Sequence, residues 1–268
     1  MIYSTPLFDS NDEPSAPLVQ LLELFGVQHD GTMLGIRDAT QKAWYQEGKL
    51  RAEIQERHGD KQREAMSLFR RLGFVHEVRC RRQRYFHCGI LGGTVVAVRK
   101  RLAFLISEWE RGVRIMNLAL LGSHRPLLAD KESEAVLLRR DNTELPICDD
   151  WKLEGPLPDT EIEMMRLVYD QAKLPAAWRE VLGPNRVTCV SPLNAKANTR
   201  DTLEVWGEEM TSSVLLVSSQ PFVSYQRAVA ESIMGRCRHL DCIGYASAGL
   251  PVSTYLDNVA KLIFEKAS

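Results

Sequence analysis

The sequence has no CxxC pair: Cys80, Cys88, Cys148, Cys189, Cys237 and Cys242 are scattered along 268 residues. That spacing excludes a zinc ribbon or a redox dithiol as the organising feature, and reduced, mostly buried thiols are expected instead. No apolar run approaches the roughly 18 residues that a membrane-spanning helix needs. The opening stretch, MIYSTPLFDSNDEPSAP, has neither a basic nor an apolar segment, so no secretory signal is read and a cytoplasmic location is expected. Neither sign of charge dominates, since 34 Lys and Arg stand against 35 Asp and Glu for a formal charge of −1. Such a chain carries no overall basic field, and neither nucleic acid nor anionic lipid is expected as a partner. GxGxxG and GxSxG are missing, and no metal-ligand constellation is found, so no metal site is assigned.

What is present is an ordinary globular composition, 44% hydrophobic and 26% charged, with a change of pattern near Tyr85. Residues 1–84 read as an N-terminal helical extension or cap. Leu18 to Val27 forms one helix ending at Gly26. Asp38 to Leu72 forms two more, with Trp44, Leu50, Ile54, Met66, Leu68, Phe69 and Leu72 at helical spacing, a break at Gly59-Asp60 and a stop at Gly73. Arg79, Arg81, Arg82 and Arg84 then precede the first strand; a solvated strand edge explains them better than an anion site.

From Tyr85 to the end, apolar runs alternate with helical patterns, the signature of a parallel sheet covered on both faces. Strands are expected at Tyr85–Leu91, Asn117–Leu121, Arg186–Val190, Ser213–Val217 and Leu240–Tyr245. Helices are expected at Val95–Arg111, Asp159–Gln171, Arg200–Met210, Val223–Met234 and Thr254–Lys266. The fold class is therefore α/β, a Rossmann-like three-layer sandwich with a mainly parallel sheet of about five strands over residues 85–268 and a lid-like insertion at about 127–158. Ligands of open parallel sheets bind outside the carboxyl ends of the strands, where helix N-termini present free N–H groups.

Polar residues collect after four successive strands. Gly92-Gly93-Thr94 follows the first, a turn tight enough to bring N–H groups close to a ligand. Ser123, His124 and Arg125 follow the second, and Arg125 suits a bidentate hold on phosphate or carboxylate. Asn198 and Thr199 open the helix after the third, where helix capping also explains them. Ser218, Ser219 and Gln220 follow the fourth, with Arg227 further into the next helix. A small, polar, anionic ligand is expected at these residues.

In these segments the chain resembles the SanA/YdcF/ElyC-like bacterial α/β family, a domain of unknown function. The resemblance covers about residues 85–250 and rests on Leu91-Gly92-Gly93-Thr94, Leu121-Gly122-Ser123, an acidic residue on the helix Thr160–Met165, the pair Asn198-Thr199 opening a helix, and Val217-Ser218-Ser219 followed by Arg227-Ala228. The family usually carries a His shortly before the Arg-Ala, where Gln220 to Gln226 here has none. Several members also bear an N-terminal membrane anchor and are linked to the cell envelope, and no such anchor is read in this sequence. One branch is associated with S-adenosylmethionine; the resemblance names no cofactor for this chain.

Two functions fit these residues. In an enzyme acting on a nucleotide, sugar phosphate or S-adenosylmethionine-like molecule, Gly92, Gly93 and Thr94 cradle the anion and Arg125 and Arg227 neutralise it. Asn198, Thr199 and Ser218 orient the ligand, and His124 or Glu161 supplies acid/base chemistry. In a non-catalytic binding module the arginines and caps suffice. A third reading makes the N-terminal helices and the insertion a surface for a protein partner, with Trp44, Trp151 and Trp178 as anchors.

Overall fold

The computed structural model of the chain describes residues 5–49, 53–194, 197–207 and 210–267. They gather into two compact units, one formed by Met1–Glu77, Gln220–Ala228 and Ala246–Ser268, the other by Val78–Ser219 and Val229–Tyr245.

The second unit holds one five-stranded sheet: β1 (Arg84–Leu91), β2 (Arg114–Leu121), β3 (Val187–Val190), β4 (Ser213–Ser219) and β5 (His239–Tyr245). All pairings are parallel and the order is β3-β2-β1-β4-β5. The expected α/β, Rossmann-like sandwich is therefore what the chain forms. β1 and β2 share one burial pattern, with their amino halves partly exposed and their last four residues buried. Helices α4 (Val95–Glu110) and α6 (Glu161–Gln171) pack on one face with Cys88, Ile90, Leu118 and Leu120. Gly89 points to the opposite face, because successive strand residues alternate, and a Cβ there would lie 2.9 Å from the Trp206 ring of α8 (Thr199–Gly207). Asn198 caps α8: its Oδ1 accepts from Arg200 N at 2.7 Å, while Asp201 Oδ2 accepts from Asn198 N at 2.9 Å.

Two departures from the sequence reading concern lengths. β4 runs two residues further than expected, so Ser218 and Ser219 end the strand and lie buried at 0% and 4% exposure. The segment 127–158 is not a bare loop. It contains the short helix α5 (Glu134–Leu137), and Leu137 and Leu145 join the main hydrophobic cluster. Buried Arg99 of α4 donates to Val136 O (3.1 Å) and Leu137 O (2.7 Å), which ties the segment down through its backbone. Helix α7 (Ala176–Val181), not anticipated, buries Trp178 against Trp109.

The first unit is built from α1 (Ala16–Leu24), α2 (Met33–Trp44), α3 (Gln62–Arg71), the start of α9 (Val223–Ile233) and α10 (Val252–Lys266). Gly26 and Gly73 take positive φ (+65° and +82°) just past α1 and α3, as helix stops require. α2 begins earlier than its apolar spacing suggested, because Thr32 Oγ1 accepts from Gly35 N at 3.0 Å and caps it. It ends at Trp44; Leu50 lies outside the described residues and Ile54 is buried in non-helical chain. Leu18, Leu21, Ile36, Phe69, Tyr255 and Val259 form one core, with Phe69 and Tyr255 stacked at 4.8 Å. The division read at residue 85 thus differs from the packing: α10 shares the apolar core of the N-terminal helices.

Candidate functional site

In the order β3-β2-β1-β4-β5, the chain leaves β1 toward β2 on one side and returns to β4 on the other. The carboxyl ends of β1 and β4 are therefore the switch point, where open parallel sheets place their ligands. The Leu91↔Leu121 register sets Gly92-Gly93 beside Gly122-Ser123.

Around this turn four charged side chains converge. Glu161, the first residue of α6, accepts from Ser123 N at 2.9 Å and Ser123 Oγ at 2.6 Å through one oxygen. Its other oxygen faces Arg125 Nε at 3.4 Å. Arg125 in turn grips Glu132 with both terminal nitrogens (2.8 and 3.0 Å) and donates to Gly93 O at 2.9 Å. Burial opposes the Arg125 charge, but the two carboxylates outweigh it and hold the guanidinium above its ordinary range. The fourth is Arg101 of α4, 2% exposed. It donates to Leu91 O at 2.7 Å, to Gly92 O, and to Ser219 Oγ at 3.1 Å. It makes no ion pair with a carboxylate among the described residues, and its Nε has no hydrogen-bond partner. Burial pulls this guanidinium below its ordinary range, opposed by Tyr245 and Glu161 nearby.

The glycine pair is explained from both sides. A Cβ on Gly92 would sit 2.9 Å from the Glu161 carboxyl, and one on Gly93 would sit 3.1 Å from Arg101 Nη1. The turn is thin because a carboxylate and a guanidinium press against it. Beyond it partly buried Thr94 precedes α4, and its side chain makes no capping bond, so it leaves the first-turn N–H groups uncapped.

The structure therefore brings together Gly92, Gly93, Thr94, Ser123, Arg125, Glu161 and Ser219. Arg125 differs from its expected role, since its donors are spent on Glu132, Glu161 and Gly93 O rather than left to clamp a ligand. His124 is exposed, and its side chain makes no hydrogen bond among the described residues. Asn198 is spent on capping α8, whose first residue is Thr199. Buried Ser218 stands beside Ser219 in β4. Gln220 and Arg227 belong to the first unit, where the Gln220 amide donates to Gly73 O (2.9 Å) and His76 O (2.7 Å). Two of the expected anchors, Trp44 and Trp178, are buried at 3% and 0%, and Trp178 donates to Tyr169 Oη at 3.1 Å. Trp151 is half-buried and its carbonyl takes a bond from Arg140 at 2.5 Å.

Arg101 and Glu132 were not anticipated. Arg101 did leave a signal: Val95, Val98, Arg101, Leu105 and Glu108 follow the i, i+3, i+4 spacing of a buried stripe, so a charged residue was embedded in it. Among the described residues no group of His, Cys, Asp and Glu suits a metal ion, and no helix is long and apolar enough to cross a membrane. No protein-family model, curated protein or solved structure matches the chain.

Proposed function

We propose that the second unit binds a small anionic, phosphate-bearing ligand of nucleotide or sugar-phosphate type at the carboxyl end of β1, as a SanA/YdcF/ElyC-like protein. One observation carries this reading: a buried guanidinium without a carboxylate partner, Arg101, lies directly beneath an uncapped helix N-terminus. Such a start offers N–H groups and the positive end of the helix dipole. A buried cation beneath it adds to the same field at low dielectric. Arg101 satisfies the strand-end carbonyls of Leu91 and Gly92, so the polar groups left at the turn are donors.

A second reading, turnover of that ligand, is favoured by the 2.6 Å bond from Ser123 Oγ to Glu161. A hydroxyl held on a carboxylate is the nucleophile and base arrangement of covalent catalysis, and Arg125 orients that base. S-adenosylmethionine remains a ligand to test beside the phosphates.

The test is a thermal-shift screen against nucleotides, sugar phosphates, inorganic phosphate and S-adenosylmethionine, repeated on Arg101→Met and Gly93→Ala. A ligand that binds the folded state raises the melting temperature by mass action. The reading expects a shift with a phosphate compound that both variants lose. A well-folded protein that no anion stabilises overturns it.

A further inference from the structure

Because every strand is parallel, all five begin on the edge of the sheet opposite the site above. That edge carries arginine. Arg84 begins β1 and Arg114 begins β2, and the two are register partners. Arg238 directly precedes β5, while Arg81 and Arg82 lie in the approach to β1. All five are exposed. Arg82 Nη2 lies 3.0 Å from His239 Nδ1, at the head of β5, which draws the approach segment and β5 into one surface. Burial, then the charges of Arg82 and Arg238, hold the His239 imidazole below its ordinary range.

Two carboxylates at this edge are already used. Buried Glu108 pairs with Arg79 (2.7 Å) and Arg111 (2.6 Å), and Asp241 accepts from Tyr85 Oη and from Arg81 N. The guanidinia of Arg81, Arg82, Arg84 and Arg238 make no ion pair among the described residues. The net charge of −1 conceals this patch because carboxylates elsewhere balance it.

Two further features distinguish it from a merely solvated edge. Its cations are all arginine, although the chain has lysines elsewhere, and the guanidinium fork matches phosphate bidentately and stacks on planar groups. An apolar ring also stands among them: Phe86, two residues beyond Arg84, is 49% exposed, with Met116 of β2 40% exposed. From the head of β5 to that of β2 the row crosses three strand spacings, about 14 Å. That is a track for an extended polyanion rather than a pocket for one small ion.

We infer that the amino-terminal edge of the sheet, with Arg81, Arg82, Arg84, Arg114 and Arg238 around Phe86, is a binding surface for single-stranded nucleic acid. The arginines hold successive phosphates while Phe86 stacks a base, the combination used in sequence-tolerant single-strand binding. An acidic peptide would use the charges but leave the ring without a role. This surface is independent of the small-anion site, which lies at the other ends of the strands.

The test is fluorescence anisotropy of a short, labelled, mixed-sequence single-stranded RNA titrated with the whole chain over a range of salt. Wild type binds with an affinity that falls as salt rises. Arg84→Ser combined with Arg238→Ser weakens binding about tenfold or more and flattens the log–log salt slope by about 1.4, as two lost phosphate contacts require. Phe86→Ser weakens binding about tenfold and leaves the slope unchanged, as loss of stacking requires. Circular dichroism melts show both variants folded, since all three positions are exposed. The inference is overturned by absence of salt-dependent binding, by a double variant that binds like wild type, or by polyglutamate or phosphatidylserine vesicles displacing the RNA as effectively as unlabelled RNA does.

Discussion

The two ends of the parallel sheet both collect arginine, in opposite states. At the carboxyl ends Arg125 is locked between Glu132 and Glu161, and Arg101 is buried on strand-end carbonyls. At the amino ends Glu108 satisfies Arg79 and Arg111, Arg114 donates to Trp109 O (2.8 Å) and Val113 O (2.9 Å), and Arg81, Arg84 and Arg238 are exposed without an ion pair among the described residues. A cation removed from water needs a partner for almost every donor, whereas one left in water needs none. The same residue type is therefore part of the fold at one end and free for an outside partner at the other.

Substitutions at the two ends separate these states, and the largest effect is expected at Glu161. Glu161→Ala leaves Ser123 and Arg125 with unmet donors in a buried place and should cost about 3–5 kcal/mol in urea unfolding. A loss below about 1 kcal/mol would mean that the network reorganises freely.

Glu108→Gln should cost about 1.5–3 kcal/mol at neutral pH. Burial pushes the Glu108 carboxyl up, but Arg111, Arg79 and the Cys80 N–H outweigh it and hold it below the usual carboxylate range. A folded-state pKa below the unfolded one contributes stability that is fully present above the ordinary carboxylate range and is lost as pH falls through the lowered value. The gap between wild type and variant should therefore close on acidification; a gap constant with pH would remove the ionic explanation.

Arg101→Met should cost about 1–3 kcal/mol, because the donors to Leu91 O and Gly92 O disappear while a buried charge is relieved. Its diagnostic effect is loss of stabilisation by phosphate compounds, read in the same melts. Arg84→Ser should change stability by less than about 0.5 kcal/mol. It should leave small-anion stabilisation untouched, and a large destabilisation there would dissolve the contrast between the two ends.

The strand and helix rhythm was legible because strands carry apolar runs, such as LALL in β2 and VLLV in β4, and helices keep a stripe, as in Val95 to Trp109. The capping signal at Asn198 was legible too, since Asn198 caps α8. The roles of charged residues were less legible, since they depend on partners distant in sequence. Arg125 looked available until Glu132 and Glu161 closed on it. The stripe of α4 marked Arg101 as buried but not its partners, the carbonyls of Leu91 and Gly92 that the turn brings to it. The grouping of α10 with the N-terminal helices was hidden for the same reason, because an apolar stripe states that it is buried but not against which neighbour.

That grouping sets an order of events during synthesis. The core of the first unit needs Tyr255, Val259 and Ile263 from α10 as well as Leu18, Ile36 and Phe69 from the other end of the chain. Every strand of the sheet has been made by Tyr245. On the ribosome the sheet can close once Tyr245 has emerged, while α1, α2 and α3 wait for α10 to complete their shared core. For that interval the nascent chain exposes apolar surface that the folded unit buries.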